Sequence, residues 1–206
     1  MKTTSISPRL FPLFVFALLG LVLAAGCAGN SPAPESGPPV LGMAPPDSVS
    51  DLPGFSGRIY LDGRVYISGQ PAEEALRALP ARDVTAVINL RTPKEMSDTT
   101  KVAFDEAALV DSLGMDYIEI PQGGKDHPYG PGALEIFAET LDKHTGPVLL
   151  HCASGGRASH LWAAYLARYQ GWTVTDAYAR GEAIGIGIAP FAKFLDVELE
   201  VVEKNN

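Results

Sequence analysis

The sequence predicts a single α/β domain, with helices flanking a central, mostly parallel sheet. Three observations predict it. Short runs of strand type recur between residues 58 and 151, and most are separated by segments with helical spacing. The run Thr85-Ala86-Val87-Ile88-Asn89-Leu90 is almost continuously apolar, as expected of a strand covered on both faces. Strands alternating with longer helical segments imply βαβ crossovers, and these bring strands into parallel register.

The elements follow in order. Residues 58–60 and 65–68 read as strands flanking Leu61-Asp62-Gly63-Arg64, where Asp-Gly signals a hairpin. Residues 72–79 read as a helix approached by Ser68-Gly69-Gln70-Pro71, with Pro71 suited to the first turn. After the strand at 85–90, residues 97–113 mix acidic and apolar side chains at helical spacing, and Gly114 stands where a C-terminal cap belongs. Residues 115–120 form a strand stopped by Pro121. Residues 132–144 are helical, 147–151 a strand, and 157–170 a helix capped by Gly171. Residues 173–183 and 190–203 close the chain as helices.

Ahead of this domain, residues 1–26 read as a secretory signal: Lys2 and Arg9, an apolar run over 11–25, then small residues. The run is shorter than the roughly 20 residues that span a bilayer. Leu23-Ala24-Ala25-Gly26-Cys27 resembles the bacterial lipobox, which implies cleavage before Cys27 and its lipidation. The alternative is an ordinary signal with an incidental cysteine. Residues 27–54 are rich in Pro, Ser and Gly, too poor in apolar surface to fold, and suited to a tether. The folded domain then occupies residues 55–206. Ala28 after the cysteine resembles the preference for the outer membrane, so the expectation is a monomer anchored by lipid on its periplasmic face.

Charge and cysteine usage narrow the partners. The net charge of −8 becomes −10 once Lys2 and Arg9 are removed, which disfavours a general nucleic-acid binder. The chain has two cysteines, Cys27 and Cys152, and lipidation of the first leaves Cys152 without a disulfide partner.

Cys152 begins a loop suited to gripping an anion. The strand ends at His151, Cys152-Ala153-Ser154-Gly155-Gly156 follows, and Arg157 opens a helix. Ligands bind beyond the carboxyl ends of strands in such sheets. Gly155 and Gly156 permit the backbone angles that turn N–H groups of residues 153–156 inward, and the helix N-terminus favours negative charge. The Arg157 fork matches two oxygens of a phosphate. The same positive surroundings favour a thiolate at Cys152, able to attack phosphorus. The alternative is a buried structural cysteine beside a glycine-rich turn.

These residues resemble the signature of tyrosine and dual-specificity phosphatases. Val65-Tyr66-Ile67-Ser68-Gly69-Gln70-Pro71, Val87-Ile88-Asn89-Leu90-Arg91-Thr92-Pro93-Lys94-Glu95 and Gly146-Pro147-Val148 extend the likeness to the bacterial phosphatase-like domain of beta-lactamase-hydrolase-like proteins, over roughly residues 57–188. The resemblance implies phosphomonoester hydrolysis through a phosphocysteine intermediate, without a cofactor or metal, on a phosphorylated protein or small molecule. It also implies an upstream aspartate on a mobile loop as proton donor. Asp126, in the Gly/Pro-rich stretch 121–130, is the natural candidate, with His127 its rival and a plain solvated loop acid the alternative.

The chain departs from the signature in two places. Four residues separate Cys152 from Arg157 instead of the usual five, a spacing shared with rhodaneses, so sulfur transfer stands as the alternative activity. Non-catalytic anion binding by a lipoprotein stands as a third. The hydroxyl residue expected after the arginine is Ala158, and Ser159 is placed to take over stabilisation of the leaving thiolate. His151 reads as a positioner of the loop. Arg91 and Lys94 read as contacts for a second anionic group or as surface ion pairs with Glu95 or Asp98, and Trp162 and Tyr165 read as core.

Overall fold

The computed structural model describes residues 4–8, 46–185 and 189–203. Cys27, most of the signal segment and most of the tether lie outside these residues. The strands are β1 (Thr4–Pro8), β2 (Asp47–Ser48), β3 (Tyr60–Asp62), β4 (Val65–Ser68), β5 (Ala86–Asn89), β6 (Asp116–Glu119), β7 (Val148–His151) and β8 (Leu199–Glu203). The helices are α1 (Glu73–Ala78), α2 (Pro93–Met96), α3 (Glu106–Ser112), α4 (Pro131–Lys143), α5 (Gly156–Tyr169), α6 (Val174–Glu182) and α7 (Ala189–Leu195).

Six strands form one sheet in the order β2-β3-β4-β7-β5-β6. Four of them, β4, β7, β5 and β6, run parallel, and the β2-β3-β4 edge is antiparallel. The predicted fold class is therefore the observed one. β7 is the fourth of these parallel strands in the chain yet lies between β4 and β5, so the segment after it emerges at the middle of the sheet's carboxyl edge.

Alternation along the strands sorts the core into two layers. Val65, Ile67, Ala86, Ile88, Val148 and Leu150 face α4, α5, α6 and α7, while Tyr66, Val87 and Leu149 face α1 and α3. All residues of β4, β5 and β7 are buried, which explains their nearly unbroken apolar character. Trp162 and Tyr165 stack in the first layer with ring centroids 5.5 Å apart, and Phe137 meets both edge-on. Their reading as core is correct.

The structure corrects several element assignments. The helix expected over 97–113 is helical only at 106–112 (α3), with turns over the residues before it and a separate short helix, α2, ending at Met96. Thr92 and Glu95 form a reciprocal capping box that starts α2 at Pro93, ahead of the expected start. Asp98 then accepts from the N–H (3.2 Å) and hydroxyl (2.6 Å) of Thr100 in a local turn, and Asp105 restarts the helix by accepting from Ala108 N–H at 3.0 Å. Acidic side chains that looked like one polar helical face are caps and turn formers. At the C-terminus, Asp196 adopts a left-handed φ of 55° that ends α7, and 199–203 is a strand paired antiparallel with β1. The hairpin turn is Gly63-Arg64, with Gly63 at φ 60°, so Asp62 belongs to the strand. Pro71 precedes α1 and bridges to Phe55 instead of sitting in its first turn.

Candidate active site

The loop after β7 is built by backbone contacts with the loop after β4. Cys152 N–H donates to Ser68 O at 3.3 Å, and Gln70 N–H donates to Ala153 O at 3.2 Å. Gly69 lies against this seam: a Cβ there would sit 2.0 Å from the Ser56 carbonyl oxygen and 3.1 Å from that of Ala153. The glycine in Ser68-Gly69-Gln70-Pro71 is thus required by close packing of three backbone segments.

Cys152 is buried, and its Sγ accepts the Gly155 N–H at 3.2 Å. Gly155 makes this possible with φ at 92°, a left-handed conformation that turns its N–H back over the sulfur at the entrance to α5. Gly156, Arg157 and Ala158 open α5, whose first N–H groups have no intrahelical acceptor. Ser154 is exposed on the loop and bridges to Gly69. Ser159 does not take the role expected of it: its hydroxyl donates to Gly155 O at 2.9 Å, bracing the first turn behind the loop.

Arg157 is held by a partner not assigned to it from sequence. Its Nη1 donates to Glu95 Oε2 at 2.9 Å and its Nη2 to Glu95 Oε1 at 2.6 Å, while Nη1 also reaches Gln122 O at 2.6 Å. This occupies the outer edge of the guanidinium. The edge formed by Nε and the second Nη2 proton is the one left for a bidentate oxyanion. Burial works against the Arg157 charge, but hydrogen bonds to Glu95 and the nearby Cys152 sulfur outweigh it, so Arg157 holds its proton more firmly than an ordinary arginine.

The Arg157 hydrogen bonds carry Glu95 down to about 2 against the opposing effect of burial, with Thr92 N–H and hydroxyl adding to the fall. A depressed carboxylate adds stability that is fully present above its ordinary value of 4.5 and is lost as pH falls toward about 2. Glu95→Gln is therefore expected to lower Tm at neutral pH, and the gap to the native chain should close on acidification through that window. A gap that stays constant with pH would show that the ionisation of Glu95 contributes nothing to the fold.

The stretch 121–130 folds over this region. Gly123 N–H donates to His127 O at 2.6 Å, closing a tight turn with Gly123 and Gly124 both at positive φ. Asp126 (exposed) and His127 (half-buried) line a cavity of about 670 Å³ together with Arg157, Glu95, Lys94 and Lys125. Both candidate proton donors thus share a cavity with the loop arginine. Tyr129, missed from sequence, belongs here too: its ring packs edge-on against Phe194 at 5.5 Å, under Lys193. Burial raises its hydroxyl above the ordinary tyrosine value, and the charges of Arg157 and Cys152 both reach it.

Arg91 is buried, not a free surface cation. It donates to Gln70 Oε1 and, at 3.1 Å, to Glu95 O, and its Nε stands 4.0 Å from Glu95 Oε1. Lys94 is exposed on the cavity rim, and Asp98 pairs instead with Lys101 at 3.3 Å. A second cavity, about 700 Å³, adjoins the other end of the loop at Ala153 and is lined by Phe55, Phe104, Arg91 and Lys101 among others.

His151 faces away from Cys152, as expected of a positioner: Cys152 lies in the layer of Leu150, and the next layer holds Leu149. Its Nε2 lies 2.9 Å from Glu106 Oε1, with both residues buried. Glu106 carried no sequence signal, since an acid at the start of a helix is ordinary capping.

The fold, with its cysteine-to-arginine loop at the carboxyl edge of the sheet, is that of the cysteine-dependent phosphatase superfamily. The family model of the beta-lactamase hydrolase-like protein, phosphatase-like domain, matches residues 62–168, just over half of the chain, and the chain belongs to that family. Among solved structures, a DUF442 protein of Shewanella putrefaciens CN-32 is 26% identical over 66% of this chain and 87% of that one, with a TM-score of 0.50. Tk-PTP in its active form shares the fold at 22% identity, 66% and 93% coverage and a TM-score of 0.52. PTPMT1 in complex with PI(5)P shares it at 18% identity, 66% and 90% coverage and a TM-score of 0.53. No curated protein matches the chain.

Proposed function

We propose that the protein hydrolyses a phosphomonoester through a phosphocysteine intermediate. The observation that carries this reading is the pairing of a sulfur held by the Gly155 N–H with an arginine whose outer edge is clamped and whose inner edge is left for an oxyanion. The Cys152 thiolate attacks phosphorus, the P–O bond to the leaving group breaks, and Asp126 protonates the departing oxygen, with His127 the alternative donor on the same loop. Water then attacks phosphorus, Asp126 takes its proton, the S–P bond breaks and inorganic phosphate leaves. N–H groups of residues 153–156 and the Arg157 fork hold the equatorial oxygens throughout.

A phosphorylated substrate is supported by the family and by the PI(5)P ligand of the neighbour PTPMT1. The cavity beside Arg157 is lined almost wholly by polar and charged side chains, which suits a hydrophilic leaving group. The same reading places the domain on a lipid at Cys27, exported as a monomer to the periplasmic face of the outer membrane. The lipobox-like residues and the tether composition support that placement.

Acid quench during turnover of an aryl phosphate should trap one phosphoryl group on the peptide that contains Cys152. Phosphate release with that peptide unmodified at every time point would refute covalent catalysis. Transfer of sulfur from thiosulfate to Cys152 would move the assignment to sulfurtransfer.

A further inference from the structure

We propose that Glu106 and Gln70 are positioning residues of the anion loop, forming with Arg91 a buried brace that ties the residue before the nucleophile to the clamp on Arg157. The inference rests on the reading of residues 152–157 as the oxyanion site.

The links are continuous. His151 Nε2 meets Glu106 Oε1, Gln70 Nε2 donates to Glu106 Oε2, and Arg91 Nη1 donates to Gln70 Oε1. Arg91 Nη2 then donates to Glu95 O, and the Glu95 carboxylate holds Arg157. The chain of contacts thus begins one residue before Cys152 and ends at the loop's last residue, passing through α3, the β4–α1 loop, the end of β5 and α2. The Gln70 amide is read in one orientation only, because its oxygen faces a cation and its nitrogen a carboxylate.

The composition of this brace argues against a purely structural role. Two carboxylates are buried among the described residues, Asp62 and Glu106. Asp62 is matched by a permanent cation: Arg180 donates to it at 2.8 and 2.6 Å, and Trp162 Nε1 adds a bond at 2.7 Å. Glu106 has no lysine or arginine against it among the described residues. Its partners are His151, the Gln70 amide and the Tyr117 hydroxyl, which itself accepts from Asn89 Nδ2 at 2.8 Å. A buried carboxylate without a permanent cation is costly compared with an isosteric neutral side chain. Its position supplies what a neutral residue would not, a negative charge 2.9 Å from the imidazole Nε2 that holds the ring behind the loop.

The brace also lies where rigidity reaches the site. Ser68, His151 and Asn89 are in register across β4, β7 and β5, one residue before the loop. Rotation of His151 would carry Cys152 with it, while loosening of Arg91 would free α2 and the Glu95 clamp.

Tungstate, a tetrahedral oxyanion, reports the loop without turnover. Glu106→Gln is expected to weaken tungstate about tenfold and to lower kcat on an aryl phosphate about 10- to 100-fold in chain that remains folded, the size of effect that a small misplacement produces. Asp62→Asn is expected to lower Tm yet leave tungstate affinity unchanged, which separates bracing from general stability. Gln70→Leu, at a half-buried position, should reproduce the Glu106→Gln losses, and the double variant should be no worse than Glu106→Gln, since both changes cut one link. Native tungstate affinity and kcat in both single variants would overturn the proposal, as would losses that multiply in the double variant. If the native chain binds tungstate but hydrolyses nothing, the affinity comparison still decides the brace while the hydrolytic reading falls.

Discussion

Cys152→Ser is expected to remove turnover of an aryl phosphate by on the order of 10⁴-fold or more, with tungstate binding and Tm close to native. The magnitude follows from what surrounds the sulfur. Its neighbours are a backbone donor, Gly155 N–H, and a cation, Arg157. A cysteine sulfur is intrinsically far more nucleophilic than a serine oxygen, whose hydroxyl needs a base to take its proton. The nearest histidine in sequence, His151, turns its ring to the other layer of the core and meets Glu106 there. Serine would thus occupy the same nest without becoming a nucleophile. The check is phosphate release alongside tungstate titration and a thermal melt. Turnover above about a hundredth of native, some 2.7 kcal/mol of barrier, would mean that another group or solvent performs the attack.

Gly69→Ala is expected to be the most destabilising single methyl addition near the site. The new Cβ would lie 2.0 Å from the carbonyl oxygen of Ser56, and neither backbone has room to move. Ser56 N–H is bonded to Gln70 O at 2.8 Å, and Gln70 N–H to Ala153 O at 3.2 Å, so relief of the clash pulls apart the seam that seats the loop. An overpacked backbone contact of this kind costs about 3 kcal/mol or more, or roughly 6–12 °C in Tm for a domain of this size. Activity should fall further than stability, because Ala153 is the first residue of the nest. Gly63→Ala provides the contrast. Gly63 has a positive φ of 60° but open space around it, so only the conformational penalty of about 1 kcal/mol applies. Equal melting temperatures for the two variants would show that the seam yields easily.

Much of the site is legible in the sequence because it is local. A buried strand, a cysteine at its end, two glycines and an arginine opening a helix are consecutive in the chain, and their relative placement follows from covalent geometry. The long misassigned helix shows where such reading stops. Residues 97–113 carry helical periodicity, but Asp98 and Asp105 bond their own backbone, and a one-dimensional pattern does not distinguish an acid that caps from one that merely faces solvent.

The parallel sheet, the position of Cys152 at its carboxyl edge, the glycine nest and the family to which these belong all follow from the order of residues alone. Each depends on backbone periodicity or on residues within a few positions of one another. Two features depend instead on how the chain packs: Glu95 clamps Arg157, and Glu106 stands behind His151. The first of these contacts joins side chains 62 residues apart, and the one between Gln70 and Glu106 joins side chains 36 apart. Their partners are chosen by which helices pack on which face of the sheet, a choice made by burial of the whole core and written in no local pattern.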